Sequence, residues 1–390
     1  MQQPLPASQV YFPALTGLRA VAAFMVFFFH FNPFHQLYRA GAPNSFSTQL
    51  LGAFVGQWHT GVTIFFVLSG FLITIRYANR LEPSWAWLKT YALNRFARIY
   101  PLYFLLTALS FVAMAGHLWT WYTWNPTSPL LDKAFAIVAN LTLTRAWFRD
   151  FYLLGLPTAW SLTVEECFYA AAPALLLVAR KQPGVLPLFV LVCWGAGALL
   201  TAVATYLHAY GGFMQPLSFT LHYTFFGRCS EFLVGMRLAL WLKARPARPK
   251  VRGTTWLGAS CIGGCLVGMG AISWQYSPSP EWPEPLSALL INFLLLPFGI
   301  ALLLYGLLYE RTWLQRLLQS QIFGLLGRSS YAFYLLHVGV FNDLLERAVG
   351  HRIAVAFITF NLAAVLLYTL IERPARQAIQ RRFRPAVQIA

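Results

Sequence analysis

Long apolar segments are the feature of this sequence that most restricts its fold. Hydrophobic residues make up 58% of the 390 residues and charged residues only 11%, which is typical of a polytopic membrane protein. Since a helix needs about 20 apolar residues to cross the hydrocarbon core, we predict an all-α transmembrane bundle. The ten predicted spans are residues 14–32, 58–78, 98–117, 162–180, 185–208, 217–242, 254–274, 288–309, 323–344 and 352–371.

Basic residues follow every second predicted span, in clusters at 76–95, 180–181, 243–252, 311–316 and 373–384. Short loops rich in Lys and Arg stay in the cytoplasm. We therefore predict an inner-membrane protein with both termini in the cytoplasm. This topology accounts for the net charge of +17 without a nucleic-acid partner.

One further apolar segment, 135–155, carries Arg145, Arg149 and Asp150. If it crossed, the cluster at 243–252 would be exported, which the same rule disfavours. We predict that it is re-entrant or lies on the membrane surface. No linker or internal repeat divides the chain, so residues 1–390 are expected to form one integral-membrane domain.

The sequence lacks the motifs of several common enzyme classes and metal sites. The five cysteines form no C-x-x-C pair and are expected to be packed thiols. There is no Walker A sequence, HExxH or Gly-x-Ser-x-Gly, so an ATPase or a hydrolase of those types is disfavoured and no metal site is expected. The N-terminus has no basic n-region and is not typical of a signal peptide.

The first predicted span contains Arg19 and His30, separated by ten apolar residues. Eleven helical residues rise about 16 Å and return to within about 20° of the same direction, so the two side chains are predicted to share a face. Ionisable groups at this depth usually face a polar cavity and mark a site. The alternative is an arginine that snorkels to the interface and a packed histidine.

Two glutamates begin the fourth predicted span, in the sequence Trp160-Ser161-Leu-Thr-Val-Glu165-Glu166-Cys-Phe-Tyr169. Adjacent helical residues point about 100° apart, so one glutamate is expected to face a cavity. Glu165 shares its face with Tyr169. Such a carboxylate can orient a histidine for general-base catalysis. Alternatively, acidic residues simply suit a helix N-terminus.

Arg95 and Arg98 lie three residues apart at the predicted cytoplasmic start of the third span. Guanidinium pairs bind phosphates through forked hydrogen bonds, so a phosphate-rich ligand such as coenzyme A would fit here. Ser69 and Tyr100 are further candidates for this site. The alternative is a basic anchor against lipid headgroups.

Other polar groups lie inside predicted spans. Arg228 and Glu231 are spaced for a buried ion pair, and His337 is a functional candidate because an intramembrane histidine is rare. Aromatic residues are concentrated in two loops, 118–131 and 274–285. We expect them to anchor the protein at the interface, and a platform for a sugar ring is the alternative.

Together these motifs resemble the acyltransferase-3 family of membrane acyltransferases, which includes O-antigen, exopolysaccharide and macrolide acyltransferases. The motifs run in order along nearly the whole chain. They are Arg19-x10-His30, Gly61–Ile73, Arg95-x-x-Arg98-Ile-Tyr-Pro, Trp160–Tyr169, Gly227–Gly235, Leu326–His337 and Glu372-Arg-Pro374.

The resemblance implies transfer of an acyl group, often acetyl from acetyl-CoA, to a hydroxyl of an extracytoplasmic glycan or similar acceptor. It also implies that His30 and Arg19 are essential and that Arg95 and Arg98 support the donor. No permanently bound cofactor is expected. The expected partners are the bilayer, acyl-CoA and a carbohydrate or other hydroxyl acceptor.

Two positions depart from the usual family pattern. Thr16 and Thr63 stand where the family commonly has aspartates, so a polar group is kept without its charge. Some family members also carry a C-terminal SGNH-type esterase domain. Because the chain ends soon after its last predicted span, we expect that domain to be absent.

The sequence therefore predicts a membrane O-acyltransferase in which His30 is the general base and Glu165 orients it. Arg19 would line the donor path or stabilise the developing oxyanion. Candidate acceptor-binding residues are Trp160, Ser161, Glu166, Tyr169, Arg228, Glu231, Ser330, Tyr331 and His337. The alternative is a transporter or flippase for a lipid-linked glycan, which would also use intramembrane charge.

Overall fold

The computed structural model describes residues 11–34, 46–116, 129–245, 252–274, 276 and 285–383. Within this part of the chain, eight helical segments are long and apolar enough to cross a membrane. The predicted all-α, multi-pass membrane fold is confirmed. The helices are α1 (Pro13–His30), α2 (Phe46–Gly56), α3 (Gly61–Tyr77), α4 (Trp85–Ala115), α5 (Leu130–Leu141), α6 (Trp160–Ala179), α7 (Val185–Tyr206), α8 (Leu217–Tyr223), α9 (Phe225–Ala244), α10 (Thr254–Trp274), α11 (Leu286–Tyr309), α12 (Trp313–Leu318), α13 (Gln321–Leu336), α14 (Val340–Val349) and α15 (Ile353–Phe383).

Two predicted spans are interrupted rather than continuous. The segment 217–242 is divided at Thr224, whose backbone is extended (φ −115°, ψ 162°). The segment 323–344 is divided after α13, where Gly339 has φ 90°. Both conformations break the i to i−4 hydrogen-bond ladder. The prediction of one helix in each segment was wrong, because apolar composition does not reveal a single non-helical residue.

The third predicted span begins much earlier than expected. α4 starts at Trp85, where the Ser84 hydroxyl accepts a hydrogen bond from the Trp87 amide at 3.2 Å. Its 31 residues are about 46 Å long, which exceeds the roughly 30 Å hydrocarbon core. Arg95 and Arg98 therefore lie in the middle of a helix, not at its start.

The segment 135–155 contains the end of α5 and a series of turns. The 12 residues of α5 reach about 18 Å, too short to cross the bilayer core. The turns are organised by Arg145, which is fully buried. Its guanidinium donates to the Asn140 side-chain oxygen at 2.8 Å and to the carbonyl oxygens of Leu154 and Leu156.

Small residues bring α3 and α9 close together at the centre of the bundle. A Cβ atom at Gly70 would lie 1.9 Å from the Phe232 carbonyl oxygen, and one at Gly235 would lie 2.1 Å from the Val67 carbonyl oxygen. Such contacts are excluded, so only glycine fits at this crossing. Close helix approach thus accounts for Gly70 in the Ser69-Gly70 pair and leaves the Ser69 hydroxyl for other contacts.

Candidate active site

A cavity of about 500 Å³ lies among α1, α3, α4, α6, α13 and α15. Its lining is strongly basic within the described residues, because it includes seven arginines and Glu165 as its single acidic residue. The arginines are Arg19, Arg76, Arg80, Arg95, Arg98, Arg328 and Arg376. Their convergence from five helices and one loop makes the cavity suitable for a polyanionic ligand.

Arg95 is held on one wall of this cavity by aromatic rings. Its Cζ atom lies 5.7 Å from the centroid of the Tyr77 ring and 5.4 Å from that of Tyr169, within cation–π range. One Nη atom donates to the Tyr77 hydroxyl at 3.4 Å. The Nε atom is buried and has no hydrogen-bond partner among the described residues, so donor capacity remains.

Arg98 lies on the same face of α4 and has an anionic partner. Its Nη1 atom is 3.5 Å from an oxygen of Glu372, whose side chain is only 1% exposed. The second Glu372 oxygen is buried and has no partner within the described residues. Glu372 is thus a buried counter-charge behind Arg98, and the 23% exposure of the Arg98 side chain leaves it accessible from the cavity.

Glu165 faces the cavity with Tyr169 and Ser69 as its partners. Its Oε1 atom accepts hydrogen bonds from the Ser69 hydroxyl and from the Tyr169 hydroxyl, and all three residues line the cavity. Glu166 does not line it. The geometry agrees with the predicted rotation of this helix, in which Glu165 and Tyr169 share the cavity side.

The predicted contact between Glu165 and His30 is absent from the described structure. Glu165 lies instead close enough to Arg19 for the two charges to interact, at the opposite end of α1 from His30. Glu165 is therefore not in position to orient His30 directly, because its hydrogen bonds to Ser69 and Tyr169 hold it on the cavity side and His30 does not line the cavity.

His30 is the last residue of α1 and lies next to His337, just beyond the end of α13. Their ring centroids are 5.3 Å apart. His337 is completely buried and stacks on Phe333 at 5.9 Å, whereas His30 is exposed. Neither histidine lines the basic cavity. The two residues form a second polar centre, which we call the histidine pair.

Tyr334 lies between the basic cavity and the histidine pair. It lines the cavity, and its ring centroid is 5.8 Å from that of His337. Its hydroxyl donates to the Thr158 carbonyl oxygen at 3.1 Å and lies 2.9 Å from the Ser161 hydroxyl. Ser161 also lines the cavity, so a hydroxyl-bearing wall separates the two polar centres.

Several predicted site residues lie elsewhere. Tyr100 packs on Phe96 and Phe104 and does not line the cavity. Tyr100 thus lies apart from the cavity arginines, because five residues after Arg95 a helix has turned about 140° away. Tyr331 does line the cavity and donates to the Ile99 carbonyl oxygen.

Arg228 and Glu231 form the predicted ion pair at 2.9 Å, with side chains 4% and 0% exposed. The Thr63 hydroxyl lies 2.9 Å from a Glu231 oxygen, and the Arg228 guanidinium lies over the Trp160 ring. This network lies between helices and outside the cavity lining. The structure therefore favours a packing role over the predicted acceptor contact for these residues, including Trp160.

Ser330, Thr16 and the two aromatic loops are the remaining features that the sequence singled out. The Ser330 hydroxyl donates a hydrogen bond to the Gly327 carbonyl oxygen of its own helix, so its proton is not free for a bond to the acyl acceptor. Thr16 lines the cavity, and its hydroxyl donates to the Phe12 carbonyl oxygen. The aromatic loops at 118–131 and 274–285 lie almost entirely outside the described residues.

Four cavity arginines and the Glu372 carboxylate were not predicted as site residues. Arg76, Arg80 and Arg376 were interpreted only as topology signals, and Arg328 was quoted only within a motif. Glu372 was quoted only within a motif, although an acidic residue that directly follows the apolar span predicted at 352–371 is a local signal for a buried charge. Its pairing with Arg98 joins positions 274 residues apart and has no local signal.

Comparison with known proteins gives the following similarities. The model of a family described as an acyltransferase domain matches residues 12–371. The acyltransferase MdmB of Streptomyces mycarofaciens is 26% identical over 97% of this chain and 95% of its own length. The peptidoglycan O-acetyltransferase OatA of Listeria monocytogenes is 29% identical over 54% of this chain and 31% of its own length.

A protein of Staphylococcus aureus (strain COL), named as a candidate O-acetyltransferase, is 25% identical over 94% of this chain. The match covers 58% of the length of that relative. No solved structure gives a significant match.

Proposed function

Because the chain belongs to the acyltransferase-3 family, we propose that it is a membrane O-acyltransferase. It transfers an acyl group, with acetyl as the expected one, from acyl-CoA to a hydroxyl of an extracytoplasmic acceptor such as a glycan. His30 is the general base. Several relatives are named O-acetyltransferases, and one of them is named a peptidoglycan O-acetyltransferase. These names support the reaction class and the kind of acceptor.

The observation that carries the donor assignment is the arginine-lined cavity. Coenzyme A carries several phosphate charges, and seven arginines against one glutamate supply complementary charge. A volume of about 500 Å³ is within the usual range for small-molecule sites. The arginines near the N-terminal end of α1 lie on the predicted cytoplasmic side, where acyl-CoA is available.

The reaction requires a base because a sugar hydroxyl is a weak nucleophile near neutral pH. An unprotonated nitrogen of His30 takes the hydroxyl proton as the oxygen attacks the thioester carbonyl carbon. The new C–O bond forms, the C–S bond breaks, and the proton passes from His30 to the departing thiolate. Arg19, on the cavity side, provides positive charge for the developing oxyanion or for the donor.

In this proposal, the wall formed by Tyr334 and Ser161 separates the donor from the acceptor. The basic cavity and the histidine pair lie on its two sides, so the donor phosphates and the acceptor hydroxyl occupy separate regions. A thioester arm that extends from the cavity passes this wall to reach His30. The exposed position of His30 leaves it accessible to an acceptor from the opposite side.

The donor assignment is tested by replacing both Arg95 and Arg98 with alanine. Losing a charge-assisted hydrogen bond costs about 1.5–3 kcal/mol, so the affinity for acetyl-CoA should fall about 10- to 150-fold while the acceptor KM changes little. Binding is measured on purified protein in nanodiscs. Arg316→Ala is the matched control because Arg316 is exposed and outside the cavity. Unchanged donor affinity in a folded double variant would contradict the assignment.

The base assignment is tested with His30→Ala. Thioester consumption and acyl transfer to the acceptor should fall about 10²- to 10⁴-fold, the usual contribution of a general base, with normal membrane insertion. His351→Ala is the control, since His351 is exposed, pairs with Glu346 and does not line the cavity. Substrate movement by the wild type without thioester consumption would instead support a transporter.

A further inference from the structure

His337 is a buried histidine to which the proposed reaction does not yet assign a part. We propose that it is a positioning residue of the acyl-transfer site, which accepts the ring N–H of His30 and so keeps the other His30 nitrogen free to take a proton. This inference rests on the proposed function of His30 as the base. It concerns how that base is held, not which donor or acceptor is used.

The surroundings of His337 fix where its own proton lies. Its Nδ1 atom is 3.0 Å from the Tyr334 carbonyl oxygen, which can only accept a hydrogen bond. Nδ1 therefore carries the proton, and Nε2 is left as an acceptor. Nε2 is buried and has no hydrogen-bond partner among the described residues.

An unpartnered acceptor in a buried position is costly and calls for an explanation. The rings around His337 in the described structure are those of Phe27, Phe333, Tyr334 and His30. The phenylalanines have no polar atom, and the Tyr334 hydroxyl is already bonded to Thr158 and lies against Ser161. Of these four neighbours, His30 is the one that can supply a free N–H.

The separation of the two histidines suits this role. Their ring centroids are 5.3 Å apart and the planes are inclined by 52°, close enough for one N–H···N hydrogen bond between facing ring edges after a modest rotation of the exposed His30 ring. The packing of His337 against Phe333 holds the acceptor in place. His337 thus fixes the tautomer and the orientation of His30, as a second residue often does for a catalytic histidine.

The proposed contact leaves the proton balance of the reaction unchanged. Neutral His30 donates its single N–H to His337 and takes the hydroxyl proton on its other nitrogen. The resulting imidazolium returns that proton to the departing thiolate. His337 gains and loses no proton, so a side chain that can accept a hydrogen bond but cannot titrate should replace it in part.

The experiment compares His337→Gln with His337→Leu. Glutamine keeps an acceptor oxygen and cannot act as a base at neutral pH, whereas leucine has similar bulk and no acceptor. We expect acyl transfer to fall at least about 10²-fold in the leucine variant and to stay within about tenfold of wild type in the glutamine variant. Acetyl-CoA affinity and membrane-inserted yield should match wild type in both, which separates this role from folding.

The outcomes distinguish this inference from the function on which it rests. Full activity of His337→Leu would overturn the positioning role and leave His30 as the base. Equal loss in the glutamine and leucine variants, with His30→Gln still active, would overturn it by making His337 the base. Absence of thioester consumption by the wild type would refute the proposed function itself, whatever the His337 variants do.

Discussion

Glu165 and Glu166 differ in their surroundings although they are adjacent in the chain. Glu165 accepts hydrogen bonds from Ser69 and Tyr169 inside the cavity, and its charge acts on Arg19. Glu166 is half-buried outside the cavity lining. The carboxylate of Glu165 therefore holds Ser69 and Tyr169 in relation to one another, whereas Glu166 makes no such pair of hydrogen bonds among the described residues.

We expect Glu165→Gln to lower acyl transfer about 10- to 150-fold, since charge-assisted hydrogen bonds of this kind are worth about 1.5–3 kcal/mol. Glu166→Gln is the matched variant and should keep most activity. Both are measured as the rate of thioester consumption at saturating acceptor, with the amount of folded protein checked by gel filtration. The reverse ranking would show that the catalytic side of α6 has been misassigned.

At the same scale, the residues predicted correctly are those fixed by local spacing. Arg95 and Arg98 lie on one face because three residues make almost one helical turn, and both line the cavity. The Arg228–Glu231 pair also follows from local spacing. The contact of Glu165 with Tyr169 follows from the same local spacing. Its contact with Ser69 and that of Arg98 with Glu372 could not be predicted, because they depend on how distant helices pack.

The crossing of α3 and α9 is a close helix contact beside the site. Gly235 faces the Val67 carbonyl oxygen, and Gly70 faces that of Phe232. Since α3 also carries Ser69 and α9 carries the buried Arg228–Glu231 pair, this crossing fixes one wall of the cavity. Any widening would move Ser69 relative to Glu165.

Gly235→Ala should therefore destabilise the protein. The added Cβ atom would lie 2.1 Å from the Val67 carbonyl oxygen and 2.8 Å from the Phe71 amide nitrogen, and overpacking of this kind costs about 1–3 kcal/mol. Thermal unfolding in detergent measures the loss. Gly264→Ala in α10 is the control, because nothing lies within 4 Å of its added Cβ atom. Equal thermal stability of the two variants would contradict the tight crossing.

The helices themselves were largely predictable from apolar length, but their interruptions were not. Eight of the ten predicted spans coincide with long apolar helices. The breaks at Thr224 and Gly339 each involve one to three residues within an apolar run. They are set by tertiary packing, which hydrophobic periodicity does not report.

Across the whole molecule, the number of crossings decides on which side the loop at 243–252 lies. If α9 and α13 cross together with the eight longer segments, residue 248 and the C-terminus lie on the side of the N-terminus. If only the eight cross, residue 248 moves to the opposite side and residue 385 does not. The 20 residues of α9 reach about 30 Å, which matches the bilayer core. Two of its charges, Arg228 and Glu231, are paired and buried, as intramembrane charges require.

We therefore expect ten crossings with both termini in the cytoplasm. Reporter fusions after residues 248 and 385 should both report the cytoplasm, and a fusion after residue 209 should report the outside. The five basic clusters would then all lie on one side, as the positive-inside rule requires. An external signal at 248 with a cytoplasmic signal at 385 would mean that α9 and α13 do not cross. External signals at both, with a cytoplasmic signal at 209, would mean that 135–155 crosses as well. The second result would place Arg376 on the opposite side of the membrane from Arg76 and Arg80, although all three line the cavity, and the path of the donor from the cytoplasm would have to be redrawn.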